Sequence, residues 1–243
     1  MPEREVKKME NKTSKTQIYT YEFNGFTATV IRPETPNGKW IWKTEFLYAF
    51  DQAELRLVEM GYTRVYYAIS NMYGSHRATR LMHDFRAHVV EKFKLDEKCT
   101  LFGFSRGGLY AFSFALFYPE YVDSVYLDAP VLDIRTWPTD KHQIDEMCRE
   151  YSISRECIDT YRDNPVNNFS EFFSHGIPLL LVAGDSDEIV PFDKNSGKMI
   201  EFCRENGIDI TYIVKPGCKH HPHSLENTAP IVEFVQNRGG LLK

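Results

Sequence analysis

Short runs of β-branched and aromatic residues recur along this chain, and longer stretches with helically spaced apolar positions separate them. Residues 17–23 and 26–31 are two such short runs joined by Asn24-Gly25, a pair suited to a two-residue hairpin turn. A turn cluster over 33–38 leads into Trp40-Ile41-Trp42, a brief and very hydrophobic strand. Residues 50–60 read as a helix stopped by Gly61. Strands are then predicted at 64–69, 99–104, 124–127, 178–184 and 209–214, and helices at 77–93, 107–118, 193–206 and 229–236. The 178–184 run is apolar throughout, as the centre of a parallel sheet requires.

A hairpin followed by strand–helix alternation predicts an α/β fold, with a mostly parallel central sheet and helices on both faces. Residues 133–176 interrupt the alternation without a strand, and are expected to form a small helical, cap-like insertion over the strand ends. Residues 1–16 are polar and expected to be flexible, which leaves 17–243 as one domain.

Composition narrows the functional classes. The chain has 243 residues, and 42% hydrophobic and 14% aromatic content suffices for a substantial core. A net charge of −5 argues against a nucleic-acid partner, which would need a basic patch. No run is long and apolar enough for a membrane span, and the charged N-terminus lacks the apolar centre of a secretory signal. Five scattered cysteines without a C-x-x-C pair fit free thiols in a cytoplasmic protein. No cofactor is expected.

The chemistry centres on Gly103-Phe104-Ser105-Arg106-Gly107, a G-x-S-x-G pentapeptide between a predicted strand and a helix apolar on every side. A serine on such a turn has its hydroxyl pushed out of the sheet and toward solvent, and the flanking glycines leave room for the turn. The hydroxyl needs a base to take its proton, and the base needs an acid that fixes its tautomer. Both follow later strands: Asp185-Ser186-Asp187 after 178–184, and Cys218-Lys219-His220-His221-Pro222-His223 after 209–214.

The order Ser, Asp, His is that of the α/β-hydrolase superfamily, which the chain resembles from about residue 17 onward. The G-D-x-D-x-x-V-P run looks like the superfamily's acid loop, and Gly217-x-x-His220 like its histidine loop, with Lys219 in place of the usual second glycine. Trp40–Phe46 and His220–Leu225 also look like a bacterial subgroup of esterase-like hydrolases.

The resemblance implies an α/β-hydrolase fold with Ser105 as nucleophile, His220 as base and Asp187 as acid, while Asp185 and Asp128 stay open as alternative acids. His221 and His223 are loop or substrate-contact residues. Zinc on the Cys218–His223 cluster is disfavoured, because its ligand candidates crowd around a proline.

For the oxyanion, one donor is the Arg106 N–H, and the second is expected from the Lys43 N–H, since Trp42-Lys43-Thr44 replaces the His-Gly pair of the resemblance. Trp42, Tyr73, Trp137 and His221 are the expected substrate contacts. The implied activity is that of a carboxylesterase acting on a small acyl ester, with a carbohydrate as the suggested carrier. A small-molecule ester is the expected partner, with no nucleic acid and no membrane, and a homo-oligomer is left open. A peptidase or thioesterase on the same scaffold is the alternative, and a non-catalytic hydrolase-like binding protein is the rival from outside enzymes.

Overall fold

In the computed structural model, residues 7–11 and 16–238 are described. Thr16–Phe23 (β2) and Phe26–Pro33 (β3) form the predicted hairpin, with Asn24 and Gly25 both at positive φ, as a tight two-residue turn demands. Lys7–Asn11 (β1) pairs antiparallel with β2, so part of the segment expected to be flexible is a strand that extends the hairpin. Its polar composition hid it, because an edge strand needs backbone pairing rather than apolar side chains.

The remaining strands are Trp40–Lys43 (β4), Thr63–Tyr67 (β5), Cys99–Phe104 (β6), Val122–Asp128 (β7), Leu179–Gly184 (β8) and Thr211–Lys215 (β9). They form one sheet in the order β1-β2-β3-β5-β4-β6-β7-β8-β9, parallel from β5 onward.

Alternation along the strands divides the core. Trp40, Trp42, Leu101, Val125, Leu127, Leu179 and Leu181 point to one face, where buried apolar side chains of His76–Phe93 (α2), Gly107–Phe117 (α3) and Ser196–Glu205 (α6) cover them. Ile41, Phe102, Phe104, Tyr126, Leu180 and Val182 point to the other, under Gln52–Glu59 (α1) and Ala229–Gln236 (α7). Helix α3 is buried along nearly its whole length, as its uniformly apolar sequence predicts.

The insertion holds Lys141–Tyr151 (α4), Phe169–Ser174 (α5) and short 3-10 turns. Ile134 and Met147 from it pack with Tyr73, which follows β5, and with Val190, which follows β8, so it sits at the carboxyl ends of the strands. Asn195 fastens it there. Its side-chain oxygen accepts the N–H groups of Leu132 and Asp133, and its amide donates to Thr136 and to the Pro191 carbonyl. The bonds to the Leu132 and Asp133 N–H groups satisfy backbone donors that this junction would otherwise bury unpaired.

Candidate active site

Ser105 opens the β6–α3 turn with φ +49, a left-handed conformation that costs a non-glycine residue about 1–3 kcal/mol. The neighbouring glycines make the turn possible through space. A Cβ on Gly103 would lie 2.8 Å from the Ala111 Cβ, and one on Gly108 would lie 2.4 Å from the Pro130 Cβ. Either added atom would force α3 away from the segment packed against it.

The acid and histidine loops are stitched to each other. The Ser186 N–H donates to the Cys218 carbonyl, and the Gly217 N–H donates to Asp185 at 2.7 Å. Gly184 makes this approach possible, since a Cβ there would sit 2.2 Å from the Cys218 oxygen. Lys219 is tolerated in place of the glycine of the resemblance because its backbone is not left-handed; Gly217, at φ +67, takes that conformation.

The loops bring Ser105, Asp187 and His220 together. His220 Nε2 is 2.9 Å from Ser105 Oγ, and His220 Nδ1 is 2.7 Å from Asp187 Oδ2. A carboxylate only accepts hydrogen bonds, so Nδ1 carries the hydrogen and Nε2 is left to accept from the serine. The second oxygen of Asp187 accepts the N–H groups of Ile189 and Val190 at 3.0 and 2.9 Å, which holds the carboxylate in place. All three side chains are buried, with Ser105 8% exposed.

Of the alternative acids, Asp185 is exposed and caps the histidine loop through Gly217. Asp128, the other alternative acid, holds a different histidine. It is fully buried and accepts from His223 Nδ1 at 2.8 Å, from the Tyr126 hydroxyl at 2.6 Å and from the Ser224 N–H at 2.8 Å. Burial alone would raise its pKa, but the hydrogen bond and charge of His223 outweigh it and hold the carboxyl below the usual range.

Three sequence expectations need correction. Trp42 stacks on Trp40 and packs against Phe85 and Phe114 in the core, 1% exposed, because strand alternation turns it away from the site. Tyr73 is also fully covered, packed with Leu109, Val131 and Met147 under the insertion, and its hydroxyl donates to Glu146.

Lys43 is the last residue of β4, in register with Tyr66 on one side and Phe102 on the other, so its amide belongs to the sheet. Its ammonium is buried 2.6 Å from Glu54 and 3.2 Å from the centre of the Phe104 ring, directly below the elbow. Desolvation lowers its pKa and the Glu54 carboxylate opposes that shift.

The turn after β4 supplies a different amide. The Thr44 N–H is spent on the Phe102 carbonyl, and its hydroxyl reaches the Phe102 and Gly107 carbonyls at 3.0 and 2.8 Å. This clamps the next residue against the elbow: a Cβ on Gly107 would lie 3.4 Å from the Glu45 nitrogen. Among the described residues, neither the Glu45 N–H nor the Arg106 N–H has an acceptor. Strand length decided the point, since β4 runs one residue beyond the predicted 40–42.

His221 is exposed, stacks on Phe50 and lies 4.9 Å from the His220 ring. Burial first, then the neighbouring His223 and His220, lower its pKa. Trp137 is half-buried, 6.1 Å from the Tyr73 ring. The nitrogens of His220, His221 and His223 approach within 4.8 Å of one another, but His220 and His223 already spend ring nitrogens on Asp187, Ser105 and Asp128.

Residues 60–239 match the sequence profile of the prolyl oligopeptidase family. The chain belongs to that family. As a prolyl oligopeptidase-family member it has the α/β-hydrolase fold, and solved structures agree. A puromycin-hydrolyzing peptidase of Mycobacterium tuberculosis superposes with a TM-score of 0.66 at 12% identity, covering 87% of this chain but 37% of that one.

An S-formylglutathione hydrolase from Agrobacterium tumefaciens gives 0.64 at 15% identity, covering 94% of this chain and 95% of that one. Its counterpart from Staphylococcus aureus gives 0.64 at 13%, covering 85% and 92%. The chain therefore spans about a third of the first peptidase's length and nearly all of the two formylglutathione hydrolases. No curated protein sequence matches it significantly. No helix among the described residues is long and apolar enough to cross a membrane.

Proposed function

We propose that this serine hydrolase is a carboxylesterase that cleaves small acyl esters through Ser105, His220 and Asp187. The observation that carries the reading is the buried chain of contacts from Ser105 Oγ to His220 to Asp187, at 2.9 and 2.7 Å.

In this mechanism Ser105 Oγ attacks the ester carbonyl while His220 Nε2 takes its proton. Asp187 stays ionised, holds the tautomer and stabilises the imidazolium. The negative oxygen of the tetrahedral intermediate accepts from the Arg106 and Glu45 amides, which already lie unspent beside the elbow. His220 returns the proton to the leaving alcohol, and the acyl group remains on Ser105. Water, deprotonated by the same histidine, then attacks the acyl-enzyme and releases the acid.

His221 and Trp137 are the remaining expected contacts with substrate. Phe46, 41% exposed after the oxyanion turn, adds an apolar surface there. A carbohydrate carrier for the acyl group stays part of the proposal, as does a cytoplasmic location, which five unpaired cysteines support.

The family match favours a second reading, a peptidase on the same machinery. A comparison of kcat/KM on p-nitrophenyl acetate, an acetyl thioester and an aminoacyl p-nitroanilide separates the readings. The esterase reading expects the oxygen ester to be turned over fastest, and preferred cleavage of the anilide would replace it with the peptidase.

A further inference from the structure

Glu45 and Arg106 meet twice at this site. Their amides form the unspent pair beside Ser105, and their side chains form an ion pair on the outer side of the same two turns. Arg106 Nε is 3.4 Å from Glu45 Oε1, and Arg106 Nη1 donates to Asn71 at 2.9 Å. The Glu45 carboxylate is 2% exposed and also accepts from the Ser70 hydroxyl at 3.0 Å. Phe46, next in the chain, takes φ +57 and lies under the guanidinium, 5.7 Å from ring centre to carbon.

A surface arginine would be solvated and free to move, whereas this one joins the β4 turn to the elbow. Burying a carboxylate is costly, and a turn gains little stability from it compared with an apolar contact. The pair does, however, fix the separation of two residues whose amides must point at one atom. Oxyanion stabilisation depends on that aim, because donors that must reorganise during the reaction lose most of their effect.

We propose that the Glu45–Arg106 ion pair is a positioning device that sets the spacing of the two oxyanion donors; the proposal rests on the serine-hydrolase reading. Neither side chain touches the reacting atoms. Each acts through the amide of its own residue.

The test uses Glu45→Gln, Arg106→Gln and the double variant. Removal of one oxyanion donor costs about 100–1000-fold in kcat, so a misaligned donor is expected to cost about 10–100-fold. KM for an ester substrate should stay within about twofold of wild type, since the loss lies in the transition state. The rate of fluorophosphonate labelling at Ser105 should fall in parallel, because the phosphonyl oxygen occupies the oxyanion position. The double variant should lose about as much as either single one, as residues acting as a unit do.

A merely structural pair would lower the melting temperature and leave kcat and labelling rate unchanged; that result, or additive losses, overturns the proposal. If Glu45→Gln fails to fold, Arg106→Gln decides alone. Labelling of the wild-type chain at Ser105 tests the underlying reading separately.

Discussion

Asp128 and His223 form a second buried carboxylate–imidazole pair, 2.8 Å apart, with the His223 ring centred 4.9 Å from that of His220. It copies the chemistry of Asp187 and His220 but has no nucleophile. Asp128 also takes the Tyr126 hydroxyl and the Ser224 N–H, so the pair pins the descending arm of the histidine loop to the end of β7.

Asp128→Asn is expected to cost about 1–3 kcal/mol of stability, since it disturbs three buried hydrogen bonds at once. The pKa of Asp128 is lowered in the folded chain, so its contribution is complete above the ordinary value of 3.8 and is lost as pH falls through the folded value below it. Urea titrations over a pH series check this. The stability difference between wild type and Asp128→Asn should shrink only in the acid range; a difference that grows on acidification would contradict it.

Asp187 and Asp185 stand two positions apart, and only Asp187 reaches His220. Asp187→Asn should reduce kcat by about 1000–10,000-fold through the wrong histidine tautomer. Asp185→Asn keeps an oxygen for the Gly217 N–H and should leave most of the activity. Steady-state kinetics on the two variants decide the matter, and a crippled Asp185→Asn with an active Asp187→Asn reverses the assignment.

The Glu45 carboxyl has a raised pKa, chiefly from burial, with Arg106 and the Ser70 hydroxyl opposing. The Tyr66 and Tyr110 phenols also feel its charge, and each is raised mainly by its own burial. A raised acid favours the fold while protonated, so this contribution is present below 4.5 and is lost as pH rises through the folded value. Glu45→Gln cannot ionise. Its stability relative to wild type should therefore improve as pH rises above 4.5, measured by denaturant unfolding across pH. A relative stability that worsens over that range would refute the sign.

Gly184→Ala places a Cβ 2.2 Å from the Cys218 carbonyl oxygen, an overlap that only movement of the histidine loop relieves. Overpacking costs about 1–3 kcal/mol, and the moved loop carries His220 away from Ser105. A lower melting temperature together with a reduced labelling rate at Ser105 is expected. Unchanged labelling would mean that the loop adjusts without moving His220.

Much of this architecture was legible in the residues. Asn24-Gly25 marked the hairpin, the uniformly apolar 107–118 run marked a buried helix, and the order of Ser105, Asp187 and His220 marked the site, because each rests on local pattern or chain order. What failed was direction and register. Trp42 looked like a substrate contact, but alternation along β4 turns it into the core. Lys43 looked like the amide donor, but β4 runs to Lys43 and moves the free amide to Glu45. Tyr73 looked like another substrate contact, yet the insertion closes over it. Asp128 found its partner 95 residues away in His223, a pairing that no local pattern records.

The central claim is that Ser105 is an activated nucleophile. A fluorophosphonate probe applied to the wild-type chain and to Ser105→Ala, followed by peptide mapping of the adduct, tests it directly. The account predicts one adduct on Ser105, none on the alanine variant, and loss of ester hydrolysis with it. An active wild-type chain that takes no label, or a Ser105→Ala variant that still hydrolyses esters, would contradict it.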